Sequence, residues 1–165
     1  MNSTATITPE QGLFELTLLN AEQNESNFEE VVLEGIKRGF PPEILTRLKE
    51  LWEFSKKIAG EVIAIGKIIV KTIFDFIKAN PELTIGAAIG AAVSLLIMSI
   101  PFFGPILAPL VAPIATIYGI GVGATKENGH LSTDPLAVAM ALASKFFELI
   151  TMIFNSIVDY WDSRD

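Results

Sequence analysis

The sequence predicts an all-α chain organised as a membrane helical hairpin, with a long amphipathic helix before it and an amphipathic helix after it. Three observations lead there. Half of the 165 residues are apolar and 19% are charged, below the quarter usual in soluble domains. From Leu83 to Thr125, 43 consecutive residues carry no Asp, Glu, Lys, Arg or His. Alternating strand patterns are not evident, while helix punctuation recurs along the chain. A domain of this size buries only about 70% of its surface, so a neutral block this long predicts contact with lipid.

The elements follow in order. Residues 1–40 are acidic and read as a helical N-terminal arm. Thr8-Pro9-Glu10 supplies an N-cap, a proline at the first helical position and an acid in the first turn. A second start is expected at Ser26, with Glu29 three residues on as a capping box. That helix should end near Gly39, ahead of Pro41-Pro42. Residues 41–79 then read as one long helix. With Leu48 at heptad position a, the a and d positions are Ile44, Leu48, Leu51, Ser55, Ile58, Val62, Ile65, Ile69, Thr72 and Phe76. Only Ser55 and Thr72 are polar, and both are small, so the seam asks for a partner helix, in a bundle or in a second copy. Glu53 with Lys57 and Lys71 with Asp75 sit four apart on the outer face.

Residues 80–125 form the expected hairpin, transmembrane or re-entrant. Asn80-Pro81-Glu82 restarts the helix. The 18 uncharged residues Leu83–Ile100 and the 20 of Ile106–Thr125 would measure about 27 and 30 Å as helices, against a bilayer core of about 30 Å. Pro101-Phe102-Phe103-Gly104-Pro105 is the turn. Gly86, Gly90 and Ser94 recur at spacing four, as do Gly119 and Gly123. This small-residue pattern lets helix backbones approach closely in lipid, within the hairpin or between subunits. Pro101, Pro105, Pro109 and Pro113 form a ladder at spacing four. Each removes a backbone donor, so the second limb should be bent against protein, line a wet space or turn back within the bilayer.

Two family resemblances rest on these residues. The uncharged Gly/Ala-rich segment 83–125 between amphipathic helices resembles the hydrophobic hairpin of pore-forming colicins. That likeness implies a helical bundle that buries the hairpin in water and inserts it into membrane. The Pro-x-x-x-Pro turn at Pro101 and Pro105 resembles the proline knot of oleosins, which implies a hairpin folded within one side of a lipid layer.

Residues 126–133 are a polar loop. Residues 134–165 form the last amphipathic helix, opened by Asp134-Pro135 and running to about Trp161. Ser144, Glu148, Thr151, Asn155, Asp159 and Asp162 share one face of it. They are either the solvated side or an acidic lining of a water-filled path. Lys67, Lys71 and Lys78 precede the hairpin and Lys126 follows it, while the turn has no basic residue. The positive-inside rule then predicts an integral membrane protein, in a cell's inner membrane, with both termini cytoplasmic. The same three lysines are candidates for contact with lipid headgroups, and Tyr160 and Trp161 for an interface.

Several classes are excluded. Without Cys there are no disulfides, thiol nucleophiles or Cys-based zinc sites, and a single His cannot build a multi-His metal site. A formal charge of −7 disfavours a nucleic-acid partner. Residues 1–12 predict no secretory signal. Gly119-Ile120-Gly121-Val122-Gly123 is not a phosphate loop, because Thr125 precedes Lys126 and Glu127 follows it. Glu29 and Glu30 are adjacent and do not face one another. His130 reads as a surface residue. The expectation is therefore a non-enzyme with no cofactor and no small-molecule substrate, whose partners are the lipid bilayer and copies of itself. It would form a pore or permeabilise membranes. The alternatives are a membrane-anchored scaffold or accessory subunit that shapes the membrane or docks a complex, and a soluble bundle that conceals the hairpin until triggered.

Overall fold

The computed structural model describes residues 6–120 and 135–161. It is mostly helical. Helices α1 (Pro9–Glu22), α2 (Phe28–Lys37) and α3 (Pro42–Trp52) lead into a short antiparallel pair, β1 (Lys56–Ile58) and β2 (Glu61–Ile63). Then follow α4 (Ile65–Ala79), α5 (Ile85–Ser99), a 3-10 turn (Pro101–Phe103), α6 (Gly104–Tyr118), α7 (Pro135–Phe146), α8 (Glu148–Ser156) and α9 (Val158–Trp161). Helix α5 is the axis of the core. It packs on α4, α6 and α7, while α1 packs on α8 and α3 lies across α4 and α6.

The first helix begins as the sequence predicts. Thr8 accepts from the Gln11 N–H, and Gln11 Oε1 accepts from the Thr8 N–H, closing a capping box behind Pro9. The second begins one residue later than expected. Asn27, not Ser26, supplies the capping oxygen, to the Glu30 N–H. Gly39 ends the turn after α2 at φ +89°, where a side chain would be strained.

Where it is described, the acidic helical arm of residues 1–40 packs on the rest of the chain, α1 against α8 and α4. Leu16 is buried, and Gly12 lies so close to Ser156 that an added Cβ would overlap its hydroxyl. Asn20 ties α1 to a distant part of the chain. Its Nδ2 donates to the Val62 carbonyl at 3.3 Å, and its Oδ1 accepts from the Ala64 N–H at 2.8 Å.

The expected single helix over 41–79 is corrected to helix, β-hairpin, helix. Register pairs Ile58 with Glu61, leaving Ala59 and Gly60 as a two-residue turn, at φ +52° and +87°. Positive φ at both central residues is the type I′ geometry that matches strand twist. The β-branched residues Ile58, Val62 and Ile63 favour the strands on either side. Most of the heptad positions are nonetheless buried, in this chain's own core: Ile44, Leu48, Leu51, Ile58, Ile65, Ile69 and Phe76. Val62 is 65% exposed. The seam therefore gives no argument for a second copy. Gly66 explains how α3 and α4 fold back on each other, since a Cβ there would lie 1.7 Å from the Leu51 carbonyl oxygen.

Two further boundaries move. Asn80 ends α4, donating from Nδ2 to the Phe76 carbonyl. The next helix is started by Thr84, whose hydroxyl accepts from the Ala87 N–H. The last helix is not straight. Helices α7 and α8 meet at 58° around Phe147, a fully buried ring packed on Phe76 and Phe146. The bend keeps the buried side of both helices on the core.

Candidate membrane-active hairpin

The two limbs of the neutral stretch fold side by side but differ in exposure. Every residue from Gly86 to Leu96 of α5 is buried. Gly86 and Gly90 make that possible. A Cβ on Gly86 would lie 2.7 Å from the Tyr118 ring, and one on Gly90 would lie 3.0 Å from Ile120. Ser94, the third member of the row, is fully buried. The small-residue face of α5 is thus packed against the end of α6 within one chain. Gly119 has a different place from the one its spacing suggests. At φ +70° it is the left-handed cap that ends α6. Gly123 lies outside the described residues.

Helix α6 buries Leu107, Leu110, Pro113 and Ile114. Its outer side is exposed at Pro105, Ala108, Pro109, Ala112, Thr116 and Ile117 and carries no charge. Pro109 and Pro113 lie inside this helix. They leave the carbonyls of Pro105 and Pro109 without their usual donors. Both of those residues are exposed, so water can serve the carbonyls. Taken with the preceding turn, Pro101–Tyr118 is an 18-residue apolar helix, 28% of it buried, and is the one span-length helix among the described residues. It measures about 27 Å. Helix α5, at 15 residues, is about 22 Å and falls short of a bilayer core.

The turn is held by aromatic rings. Phe103 is buried and meets Phe154 at 4.8 Å between centroids. Trp161 stacks on Phe102 at 4.7 Å, and Lys56 Nζ from β1 lies 5.2 Å from the Trp161 ring. Asn155 Nδ2 donates to the Ser99 carbonyl at 2.9 Å, serving one of the free carbonyls at the end of α5. Gly104 and Pro105 complete the turn with no close neighbour to Gly104.

The polar stripe faces outward. Ser144, Glu148, Asn155 and Asp159 are exposed and Thr151 is half-buried. Ser144, Glu148 and Thr151 line one open cleft with Ser99 and Lys145. Beside that stripe runs an apolar one that the sequence reading missed: Val138, Leu142, Phe146 and Leu149 are all exposed. Their spacing of 4, 4 and 3 was legible. It leads to a groove where Leu149 faces Phe14 of α1, rimmed by Glu10 and Glu15. On α4, Lys67 and Lys71 are half-buried and Lys78 is exposed. Lys67 Nζ lies 5.7 Å from the Trp52 ring. Among the described residues, no group of three or more His, Cys, Asp or Glu is placed to hold a metal ion.

What these features define is a helical bundle around a neutral hairpin, with one limb enclosed and the other half open. Compared with known protein families, curated proteins and solved structures, the chain matches none.

Proposed function

We propose that this chain permeabilises membranes, folding in water as a bundle that stores a neutral helical hairpin and delivering that hairpin to a bilayer, where copies assemble. The observation that carries the reading is the enclosure of α5, uncharged throughout and buried from Gly86 to Leu96, beneath an α6 whose exposed side is also uncharged. Water disfavours both apolar surfaces, and no charge opposes their entry into a bilayer. The exposed stripe of Val138, Leu142, Phe146 and Leu149 offers a first apolar contact, and Lys67, Lys71 and Lys78 a headgroup contact. In the assembled state Ser144, Glu148, Thr151, Asn155 and Asp159 would line the path. Insertion with both termini on one side, as in an inner membrane with cytoplasmic ends, belongs to this proposal.

Dye release from liposomes tests it. Protein purified without detergent should empty vesicles, and Glu148→Lys should shift ion preference towards anions in planar bilayers. Vesicles that stay tight at high protein loading would reject the reading. A second reading, a membrane-anchored scaffold, is favoured by the presence of one span-length helix, Pro101–Tyr118. A scaffold would bind vesicles without emptying them and would be indifferent to Glu148→Lys.

A further inference from the structure

We infer that the C-terminal helices α8 and α9 are a latch that holds the tip of the hairpin down; this rests on the membrane reading above. The hairpin could leave the bundle only if its turn, the most distal part of both limbs, came free first. Three independent contacts oppose that. Phe103 is 1% exposed and seated against Phe154. Phe102 stacks on Trp161, whose ring also lies near Lys56 of the β-hairpin. Asn155 donates to Ser99 at the last turn of α5.

All three contacts come from α8 and α9, and Lys56 of the β-hairpin between α3 and α4 touches Trp161 rather than the turn. They converge on one turn. The turn itself is built to stop the helix rather than to pack it: Pro101 and Pro105 are exposed, and nothing lies within 4 Å of a Cβ on Gly104. The docking is therefore made by Phe102 and Phe103 against α9 and α8. Trp161 is half-buried, so it can be displaced without opening the core. Binding of α9 or Trp161 to a membrane interface, where Trp is favoured, would remove the stack on Phe102 and free the tip.

The test is Trp161→Ala in the full chain, read in two ways. In water, the Ile100 and Phe103 amides, bonded to the Leu96 and Ile100 carbonyls, should exchange hydrogen about tenfold faster, the scale expected for losing aromatic contacts. Exchange in α4 should stay unchanged, which reports an intact fold. With vesicles of mixed zwitterionic and anionic lipid, dye release should quicken about threefold to tenfold. Trp161→Phe should restore both. Asn155→Ala leaves every ring in place and should speed exchange at the tip to a smaller extent. Unchanged exchange at Ile100 and Phe103 in both variants overturns the latch, whatever the vesicles do. Faster exchange at the tip, with vesicles tight to parent and variant alike, upholds the contact as a latch and overturns the membrane reading instead.

Discussion

Helices α5 and α6 have the same length and the same lack of charge, and the fold treats them differently. Helix α5 is enclosed because it is made of Gly and Ala on the sides where neighbours press in. Gly86 receives the Tyr118 ring and Gly90 receives Ile120. Helix α6 carries its prolines at Pro105 and Pro109 on the outer side, where carbonyls without donors reach water. A bilayer would leave such carbonyls unserved, so this helix needs water, protein or a bend on that side. Hydropathy alone does not separate the two limbs. Side-chain volume and proline position do.

A charge should break the comparison most sharply. Ala92 of α5 is fully buried and Ala112 of α6 is exposed. Ala92→Lys should lose about 4 kcal/mol or more in urea unfolding, because the ammonium is buried without a partner. Ala112→Lys should change stability by less than about 0.5 kcal/mol. It should still impair insertion by about 3 kcal/mol, seen as roughly hundredfold slower dye release. Equal stability losses at the two positions would show that the limbs are alike after all.

Glycine substitutions sharpen it at smaller scale. Gly86→Val drives a branched side chain into the Tyr118 ring and should cost about 1–3 kcal/mol. Gly104, in the first turn of α6, has nothing within 4 Å of its Cβ position. Gly104→Ala should be neutral or stabilise by up to about 0.5 kcal/mol. Thermal melts of the two variants check this pair.

The smallest effect lies outside both limbs and sets a baseline. Arg38 Nε donates to Glu34 Oε2 at 2.7 Å. That bond, then the Arg38 charge, holds the Glu34 carboxyl below its usual range, although partial burial pushes the other way. A carboxyl pKa lowered on folding stabilises the fold above the ordinary glutamate range. The contribution fades as pH falls through the lowered value. Because the pair is partly exposed, Glu34→Gln should cost about 0.5 kcal/mol at pH 7 and nothing near pH 2. Urea titrations at the two pH values would register the difference.

Local chemistry made part of the fold legible. Thr8-Pro9-Glu10 marks the start of α1, Gly39 with Pro41-Pro42 separates α2 from α3, and Pro101-Phe102-Phe103-Gly104-Pro105 turns the hairpin. These signals act within four residues. The β-hairpin was hidden because Ile58 and Val62 fit a heptad as well as a pair of strands, and Ala59-Gly60 is a weak turn signal beside Asn-Gly. Asn80 and Thr84 are both capping residues a few positions apart, and only the backbone path between α4 and α5 decides that Thr84 caps. The bonds from Asn20 to the β2–α4 junction and from Asn155 to Ser99 join residues more than forty positions apart, which no local pattern encodes. The polar stripe was legible as a face, and the structure leaves Ser144, Glu148, Asn155 and Asp159 of it exposed. The apolar stripe beside it has a similar periodicity, but periodicity does not tell which apolar face of α7 and α8 a neighbour covers and which it leaves exposed.

The account stands on the release of an enclosed limb. Hydrogen exchange along the full chain, with and without vesicles, tests that release most directly. The prediction is that vesicles strip protection from α4 and α7, which lose the helix they cover, while α5 stays slow to exchange inside lipid. If α4 and α7 keep their protection on vesicles that demonstrably bind the protein, α5 has never left the bundle.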